Sequence, residues 1–325
     1  MSMKRRFELY YRFINGLISS PAGKETKVLR DNPHLLDLGL LVAIEQMADY
    51  LDGNNNREMG RWLRSLPPLL VEKVGLNPID ETSEDYLQKV YPYEWAIANC
   101  NIALACQNHG GEKNLKRAIE YYDRALLNLD RESHSFPWAT AHNNLGNVYK
   151  SLGGKENLNR AIDCYRKALE GWKREIHPSS WAMVQYNLGN TYQILDGPDN
   201  LKWAINYYHG ALLVWQPENF PYQWASTQHN LGKAYQGKGH HDWAINCYQR
   251  ALSQWTGETY PYDWAMALNN LGNAYVALGG KENLAVAVDC YQQALGVRRK
   301  ETYAQEWEAT QSNLNQAHSK RSTKF

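Results

Sequence analysis

The sequence predicts an all-α array of repeated helical hairpins behind a helical N-terminal region. Three observations lead to this prediction. Tryptophan recurs at a nearly fixed spacing, an asparagine stands six positions after each of these tryptophans, and Ala, Tyr and Ala follow at helical spacing further on. A fixed period of about 40 residues is typical of repeat proteins. The six tryptophans are Trp95, Trp138, Trp181, Trp224, Trp264 and Trp307, and their spacings are 43, 43, 43, 40 and 43 residues.

The composition excludes several classes of protein. The chain has 325 residues, and its 35 Lys+Arg against 34 Asp+Glu give a formal charge of +1, which argues against a nucleic-acid partner. No apolar stretch reaches the ~20 residues of a membrane helix, so no membrane partner is expected. The five cysteines are too few for a disulfide framework, and a cytoplasmic location is predicted.

The first 90 residues lack the repeat and are predicted to be a helical cap, or leader, for the array. Apolar periodicity predicts helices over residues 4–19, 25–30, 33–51 and 55–66. Asp31 and Asn32 before Pro33 suggest the start of the third helix, and Pro67-Pro68 suggests the end of the fourth. A solenoid needs such a cap to cover the apolar edge of its first repeat.

The first helix of each repeat starts near its tryptophan, from which we count repeat positions, the tryptophan being position zero. Position six is always Asn, position eight is Gly in the four central copies, and position eleven is Tyr in the same four. Positions zero, seven and eleven share one helical face, which is predicted to pack inward. The position-six residues are Asn101, Asn144, Asn187, Asn230, Asn270 and Asn313.

The second helix of each repeat is predicted to begin at an asparagine that precedes a leucine, because Asn is a good N-cap. This slot holds Asn114, Asn157, Asn200 and Asn283. The helix then carries Ala, Tyr and Ala at spacings of four and three, as in Ala161, Tyr165 and Ala168, so two helices can approach closely around one ring. A polar helix over 304–320 is expected to close the array.

These residues resemble the tetratricopeptide repeat. Leu145-Gly146-x-x-Tyr149 followed by Ala161, Tyr165 and Ala168 matches its signature, and the long period is similar to that of kinesin light chains and of bacterial, notably cyanobacterial, signalling proteins. The resemblance implies a right-handed superhelical solenoid. The expected domains are a leader at 1–90 and an array at 91–325, with repeats near 92–134, 135–177, 178–220, 221–260 and 261–303 and a final helix at 304–320.

In this family the first helices line a concave groove, so the resemblance also implies a set of groove residues. Amide side chains can pair with the backbone of an extended peptide whatever its sequence. Position two carries no lysine, so no carboxylate clamp is expected. The predicted peptide-binding residues are Asn143, Asn144, Asn147, Lys150, Tyr186, Asn187, Asn190, Gln193, His229, Asn230, Lys233, Gln236, Asn269, Asn270 and Asn273.

No chemistry other than binding is predicted. Tryptophans that recur in register, Trp203 and Trp243 among them, are expected to be core residues. Cys100 and Cys106 are six residues apart on a helix and cannot share a zinc ion, and residues 21–26 match a phosphate loop poorly. We therefore expect no cofactor, no metal and no catalytic residue.

The predicted function is that of a scaffold or adaptor that binds an extended segment of a partner protein in the groove. Two alternatives stay open at this point. The chain could be a regulatory or sensor subunit for a separate caspase-like peptidase or NTPase, as the bacterial resemblance implies, or a structural protein that self-associates through the ends of the solenoid. An enzyme ranks last.

Overall fold

The computed structural model describes residues 3–19, 32–53, 56–73, 81–297 and 302–322. Within these ranges the chain forms fifteen α-helices and a short 3-10 helix, and it forms no strand. The all-α class is confirmed. The chain divides into two compact units, Met1–Trp172 and Lys173–Phe325, which are described separately. No helix in the described ranges is long and apolar enough to cross a membrane.

The first unit opens with four helices that precede the array. They are α1 (Met3–Ile18), α2 (Leu38–Gly53), α3 (Arg57–Lys73) and α4 (Glu81–Val90), with the 3-10 helix at Pro33–Leu35. Helix α4 has no counterpart among the predicted elements. The predicted helix over 25–30 and the phosphate-loop-like segment over 21–26 lie outside the described residues.

The start of α2 corrects the sequence prediction. The helix was expected from Pro33, but Pro33–Leu35 is a 3-10 helix and α2 begins at Leu38. Asp37 replaces the predicted cap, because its carboxylate accepts a hydrogen bond from the backbone N–H of Leu40 at 3.1 Å. The same buried carboxylate accepts the Tyr10 hydroxyl at 2.6 Å and pairs with Arg6, so it also ties α1 to α2.

Helix α3 was predicted to end at Pro67-Pro68, and that prediction is wrong. The helix continues through both prolines to Lys73. Although a proline inside a helix removes one backbone hydrogen bond, the continued helix places Leu70 in the core of the unit together with Leu63 and Leu66. Burial of an apolar side chain contributes about 1.5–3 kcal/mol, enough to offset much of that loss.

The leader helices pack directly on the first repeat. Helices α2 and α3 both contact α5 (Pro92–His109). Trp95 and Ile102 of α5 belong to one buried cluster with Leu40 and Leu63 of the leader. The apolar edge of the first repeat is therefore covered by the leader helices.

The first unit also contains the first two hairpins of the array. These are α5 with α6 (Glu112–Leu126), and α7 (Ser135–Leu152) with α8 (Lys155–Gly171). The second unit contains three more hairpins and a last helix: α9 (Pro178–Leu195) with α10 (Pro198–Leu212), α11 (Pro221–Gly237) with α12 (His241–Leu252), α13 (Pro261–Leu278) with α14 (Lys281–Val297), and α15 (Ala304–Ser322). Four of the five first helices begin with proline, at a position where no N–H bond is lost.

In the second to fifth hairpins the position-eight glycine lies against the ring of the buried tyrosine. A Cβ atom added to Gly146 would lie 2.7 Å from the Tyr165 ring, and one added to Gly189 would lie 2.5 Å from the Tyr208 ring. Tyr165 and Tyr208 are completely buried. In these four hairpins the glycine leaves room for the ring next to the helix backbone, whereas the first hairpin has Ala103 at the same position.

The sequence predicted the asparagine before the leucine as the N-cap of the second helix, and that prediction is wrong. In the second repeat the N-cap is Gly154, and Asn157 lies in the first turn. The Asn157 amide donates a hydrogen bond back to the carbonyl of Gly153 at 2.9 Å. The same bond recurs at Asn114, Asn200 and Asn283, at 2.9, 2.7 and 2.8 Å. The amide thus satisfies a carbonyl at the end of the first helix instead of an N–H at the start of the second.

Candidate functional site

The predicted groove residues all lie on the first helices of the hairpins. Asn143, Asn144, Asn147 and Lys150 lie on α7 in the first unit, and the other predicted residues lie on α9, α11 and α13 in the second unit. We call the surface formed within each unit by repeat positions two, five, six, nine and twelve the first-helix face. The predicted residues lie on this face in register, one set on each of the second to fifth hairpins.

The tyrosine buried in each hairpin fixes an amide of the first-helix face. The hydroxyls of Tyr165, Tyr208 and Tyr291 donate to the side-chain oxygen of the position-nine asparagine at 2.7–2.8 Å. These acceptors are Asn147, Asn190 and Asn273. In the fourth repeat position nine is Lys233, and Tyr248 donates to Gln236 instead, at 2.8 Å. Each of these amides is therefore oriented by its own hairpin.

The position-six asparagine joins neighbouring repeats in the second unit. The Asn230 amide donates to the Tyr186 hydroxyl at 2.9 Å and to the Asn190 side-chain oxygen at 3.0 Å, both in the preceding repeat. Asn270 contacts His229 at 3.3 Å. Asn313 of α15 donates to Asn269 at 3.1 Å.

The position-six asparagine thus has a recurring partner. It contacts the position-five residue of the preceding repeat three times in the second unit. The position-six amide therefore has a structural role between repeats, whatever else it contacts. The sequence signal for this role was the polar or aromatic residue that recurs at position five.

The predicted residues differ in their access to solvent. Asn143, Asn187 and His229 are buried, whereas Lys233 is exposed. The remaining eleven are half-buried: Asn144, Asn147, Lys150, Tyr186, Asn190, Gln193, Asn230, Gln236, Asn269, Asn270 and Asn273. A ligand could touch the half-buried and exposed residues without any rearrangement, but not the three buried ones.

The predicted residues carry almost no charge. None of them is Asp or Glu, and only Lys150 and Lys233 are cationic. Burial lowers the pKa of the Lys150 ammonium. Burial, together with the nearby Lys233 cation, lowers the pKa of His229 to about 3, so this imidazole is neutral at pH 7. The first-helix face is thus suited to hydrogen bonding more than to ion pairing.

Two tryptophans that were expected in the core are exposed instead. Trp203 and Trp243 are 49% and 62% exposed, respectively, on the second helices α10 and α12. The sequence contained a signal for this, since the same register holds Arg117 and Arg160 in the first two repeats, and a register that accepts arginine faces solvent. By contrast, Trp172, Trp215 and Trp255 at the ends of second helices are buried, as expected.

The thiols give no sign of chemistry. All five cysteines are free, and burial raises the pKa of Cys164, Cys247 and Cys290 to about 12, so these three thiols stay protonated. In the part of the chain that the structure describes, no three His, Cys, Asp or Glu side chains come together as a metal site would require.

Comparisons with known proteins agree with this architecture. Two segments match models of the tetratricopeptide repeat: residues 139–170, within the second hairpin, and residues 223–300, which span the fourth and fifth. No curated protein matches the chain by sequence.

Solved structures of the same fold include three with modest sequence identity. BtubC from P. vanneervenii is 21% identical, with a TM-score of 0.53, covering 67% of this chain and 86% of its own. A signal-transduction ATPase with a tetratricopeptide-repeat sensor from Pyrococcus horikoshii is 15% identical, with a TM-score of 0.56, covering 96% of this chain and 43% of its own. The Cut9–Hcn1 assembly of the APC/C is 18% identical, with a TM-score of 0.50, covering 94% and 52%.

Proposed function

We propose that this chain, a tetratricopeptide-repeat protein, is an interaction scaffold that binds an extended segment of a partner protein along its first-helix face. The observation that carries the proposal is the row of oriented amides. In the described contacts of Asn147, Gln236 and Asn273, the side-chain oxygen accepts a tyrosine hydroxyl and the amide N–H groups are not used. An amide carries two such donors, which suit the backbone carbonyls of an extended peptide.

The near absence of charge supports a ligand recognised mainly through its backbone. Hydrogen bonds from neutral amides contribute about 0.5–1.5 kcal/mol each, so several repeats must act together. A single short segment is therefore expected to bind with a dissociation constant on the order of micromolar, and a folded partner would gain affinity from additional contacts.

The first experiment identifies the partner. A photo-crosslinking phenylalanine derivative replaces Lys233, which is exposed on the first-helix face, or Asp163, which is exposed on second helix α8. After illumination in cells of the source organism, we expect a defined protein to be crosslinked through position 233 and not through position 163. Equal crosslinking from both positions would argue against a binding role for the first-helix face.

The second experiment tests the amide donors with the crosslinked segment made as a peptide. Asn273→Asp keeps an oxygen for the Tyr291 hydroxyl but removes the N–H donors. It should weaken peptide binding by about fivefold or more, measured by calorimetry. Asn159→Asp, at an exposed position of α8, is the matched control and should leave the affinity unchanged. An Asn273→Asp variant that binds as tightly as the control would refute the proposed role of the amides.

A regulatory role is a second candidate, favoured by one comparison. The ATPase from Pyrococcus horikoshii is described as having a tetratricopeptide-repeat sensor, and its similarity covers 96% of this chain, the helices before the array included. On this proposal the partner is a separate NTPase or peptidase. Its activity should change on addition of the purified chain, whereas a passive scaffold would bind the partner without altering its turnover.

A further inference from the structure

A cleft of about 420 Å³ lies between two neighbouring second helices of the second unit. Helix α10 forms one wall, α12 forms the other, and α11 lies beneath them. Leu212, Leu231, Tyr235 and Trp243 supply its apolar surface. Its volume lies within the range of about 300–1,000 Å³ that is usual for ligand sites.

Trp243 presents an exposed aromatic ring to this cleft. Its indole is 62% exposed at the wall of the cleft, and its ring centroid lies 5.3 Å from that of Tyr235. Trp203, the equivalent residue one repeat earlier, stacks on Tyr192 at 6.2 Å and does not line the cleft. An exposed indole beside a preformed apolar cleft is a surface that gains free energy when a ligand covers it.

A buried polar group at the cleft lacks a partner. Gln228 lines the cleft, is 2% exposed, and its Oε1 has no hydrogen-bond partner among the described residues. Buried amide oxygens are nearly always paired, because an unpaired one costs about 1–3 kcal/mol. A rotation of the Gln228 side chain toward the cleft would let a ligand N–H or O–H group donate to Oε1 and remove this cost.

The two ends of the cleft carry opposite charges. Asp242 and Arg250 both line it from α12, and both are exposed. Neither forms an ion pair with another residue in the described ranges. Their separation of eight positions in the sequence corresponds to about 12 Å along the helix axis. An extended peptide spans that distance in about four residues.

We propose that this cleft binds a peptide segment of a partner protein that carries a central Tyr or Trp with a basic residue two positions to one side and an acidic residue two positions to the other. The aromatic ring enters between Leu212 and Trp243, and its hydroxyl or indole N–H donates to Gln228 after that side chain turns toward the cleft. The basic side chain pairs with Asp242 and the acidic one with Arg250. This site lies on the second helices and is independent of the proposed first-helix face.

The test uses three synthetic probes, acetylated and amidated: Lys-Gly-Tyr-Gly-Glu, Lys-Gly-Tyr-Gly-Lys and Glu-Gly-Tyr-Gly-Glu. The full chain is labelled with 5-fluorotryptophan, and fluorine NMR follows the Trp243 signal, assigned with the Trp243→Phe variant. The mixed-charge peptide should shift this signal with an affinity about threefold or more above either single-charge peptide.

A charge reversal makes the test specific to the cleft. In the Arg250→Glu variant both ends are acidic, so the preference should switch to the Lys/Lys peptide by about threefold or more. Arg250 is exposed, and its replacement should not affect folding. The signal of Trp203, equally placed on its own helix but outside the cleft, should not move.

Three results would overturn the proposal. The first is no shift of the Trp243 signal at about 5 mM peptide, a concentration that would reveal even millimolar binding. The second is a peptide preference that Arg250→Glu leaves unchanged. The third is an equal response to a peptide with Ala in place of Tyr, since the ring must supply both the apolar contact and the donor for Gln228.

Discussion

At the scale of single residues, the repeated asparagines have different roles according to their position. Asn230 at position six bonds to the preceding repeat, whereas Asn273 at position nine is held by the tyrosine of its own hairpin. Asn157, in the first turn of α8, donates a hydrogen bond to the carbonyl of Gly153 at the end of α7. One residue type thus serves contacts between repeats, within a hairpin and at a helix end, because its amide both donates and accepts.

A pH dependence of stability follows from the burial of His229. Its folded pKa of about 3 lies below the ordinary value of 6.5, since burial and the Lys233 cation oppose protonation. The unfolded chain therefore takes up a proton first as pH falls. The contribution of His229 to the free energy of unfolding should be fully present above about pH 6.5. Below that pH the free energy of unfolding should decline by up to about 1.4 kcal/mol per pH unit.

The measurement is the free energy of unfolding from urea titrations between pH 7.5 and 5. His229→Gln should remove this contribution and flatten the decline. His142, whose pKa is lowered to about 4 by burial, and His209, whose pKa burial also lowers, are retained in the variant and contribute to the remaining slope. Identical slopes for wild type and variant would mean that His229 does not titrate as described.

At the scale of helices, the hairpin depends on glycine more than on helix propensity. A Cβ atom at Gly272 would lie 2.6 Å from Cε1 of the buried Tyr291 ring. Alanine favours the helical backbone over glycine by about 1 kcal/mol, yet overpacking a core costs about 1–3 kcal/mol. We expect Gly272→Ala to lower the stability of the protein by about 1 kcal/mol in thermal unfolding, the difference between these two effects.

The control for this variant lies in the same repeat. Nothing lies within 4 Å of a Cβ atom added to Gly296, near the end of α14, so Gly296→Ala should be neutral or slightly stabilising. A Gly272→Ala protein as stable as wild type would show that the Tyr291 ring can move aside at little cost.

The helices of the array were predictable because each one repeats a strong local pattern. The tryptophan, Leu-Gly and Ala-Tyr-Ala positions each mark the buried face of a helix. Because the pattern recurs in five copies, a departure in one copy does not hide it. The leader has no such repetition, so the path of α3 through Pro67-Pro68 and the late start of α2 were missed. Both depend on tertiary contacts, of Leu70 with the core and of Asp37 with Tyr10, that no local pattern contains.

The candidate site was predictable only in part, for a related reason. Periodicity places Asn147 and Asn273 on the first helices, but it does not reveal that Tyr165 and Tyr291 bind their carbonyl oxygens. The register of Trp243 was visible in the sequence, whereas the cleft beside it arises from helices of two different repeats. Side-chain partners from neighbouring repeats become apparent only once the hairpins are stacked.

At the scale of the whole molecule, each repeat should depend mainly on the neighbours that cover its core. Helix α15 covers the last hairpin, and its buried Leu314 and Ala317 pack with Ala287, Val288 and Tyr291 of α14. Repeat proteins behave approximately as chains of nearest-neighbour contacts, so damage at one end should fade with distance along the chain.

Leu314→Asp tests this nearest-neighbour behaviour. Leu314 is 8% exposed, and burial of an unpaired carboxylate in its place costs several kcal/mol, enough to release α15 from the array. In hydrogen exchange we expect lost protection in α15, a smaller loss in α13 and α14, and none in α5 and α6. Gln316→Asp, at an exposed position of the same helix, should change nothing. Equal loss of protection in α5 and α14 would instead mean that the chain unfolds as one cooperative block, since local damage would then destabilise every repeat alike.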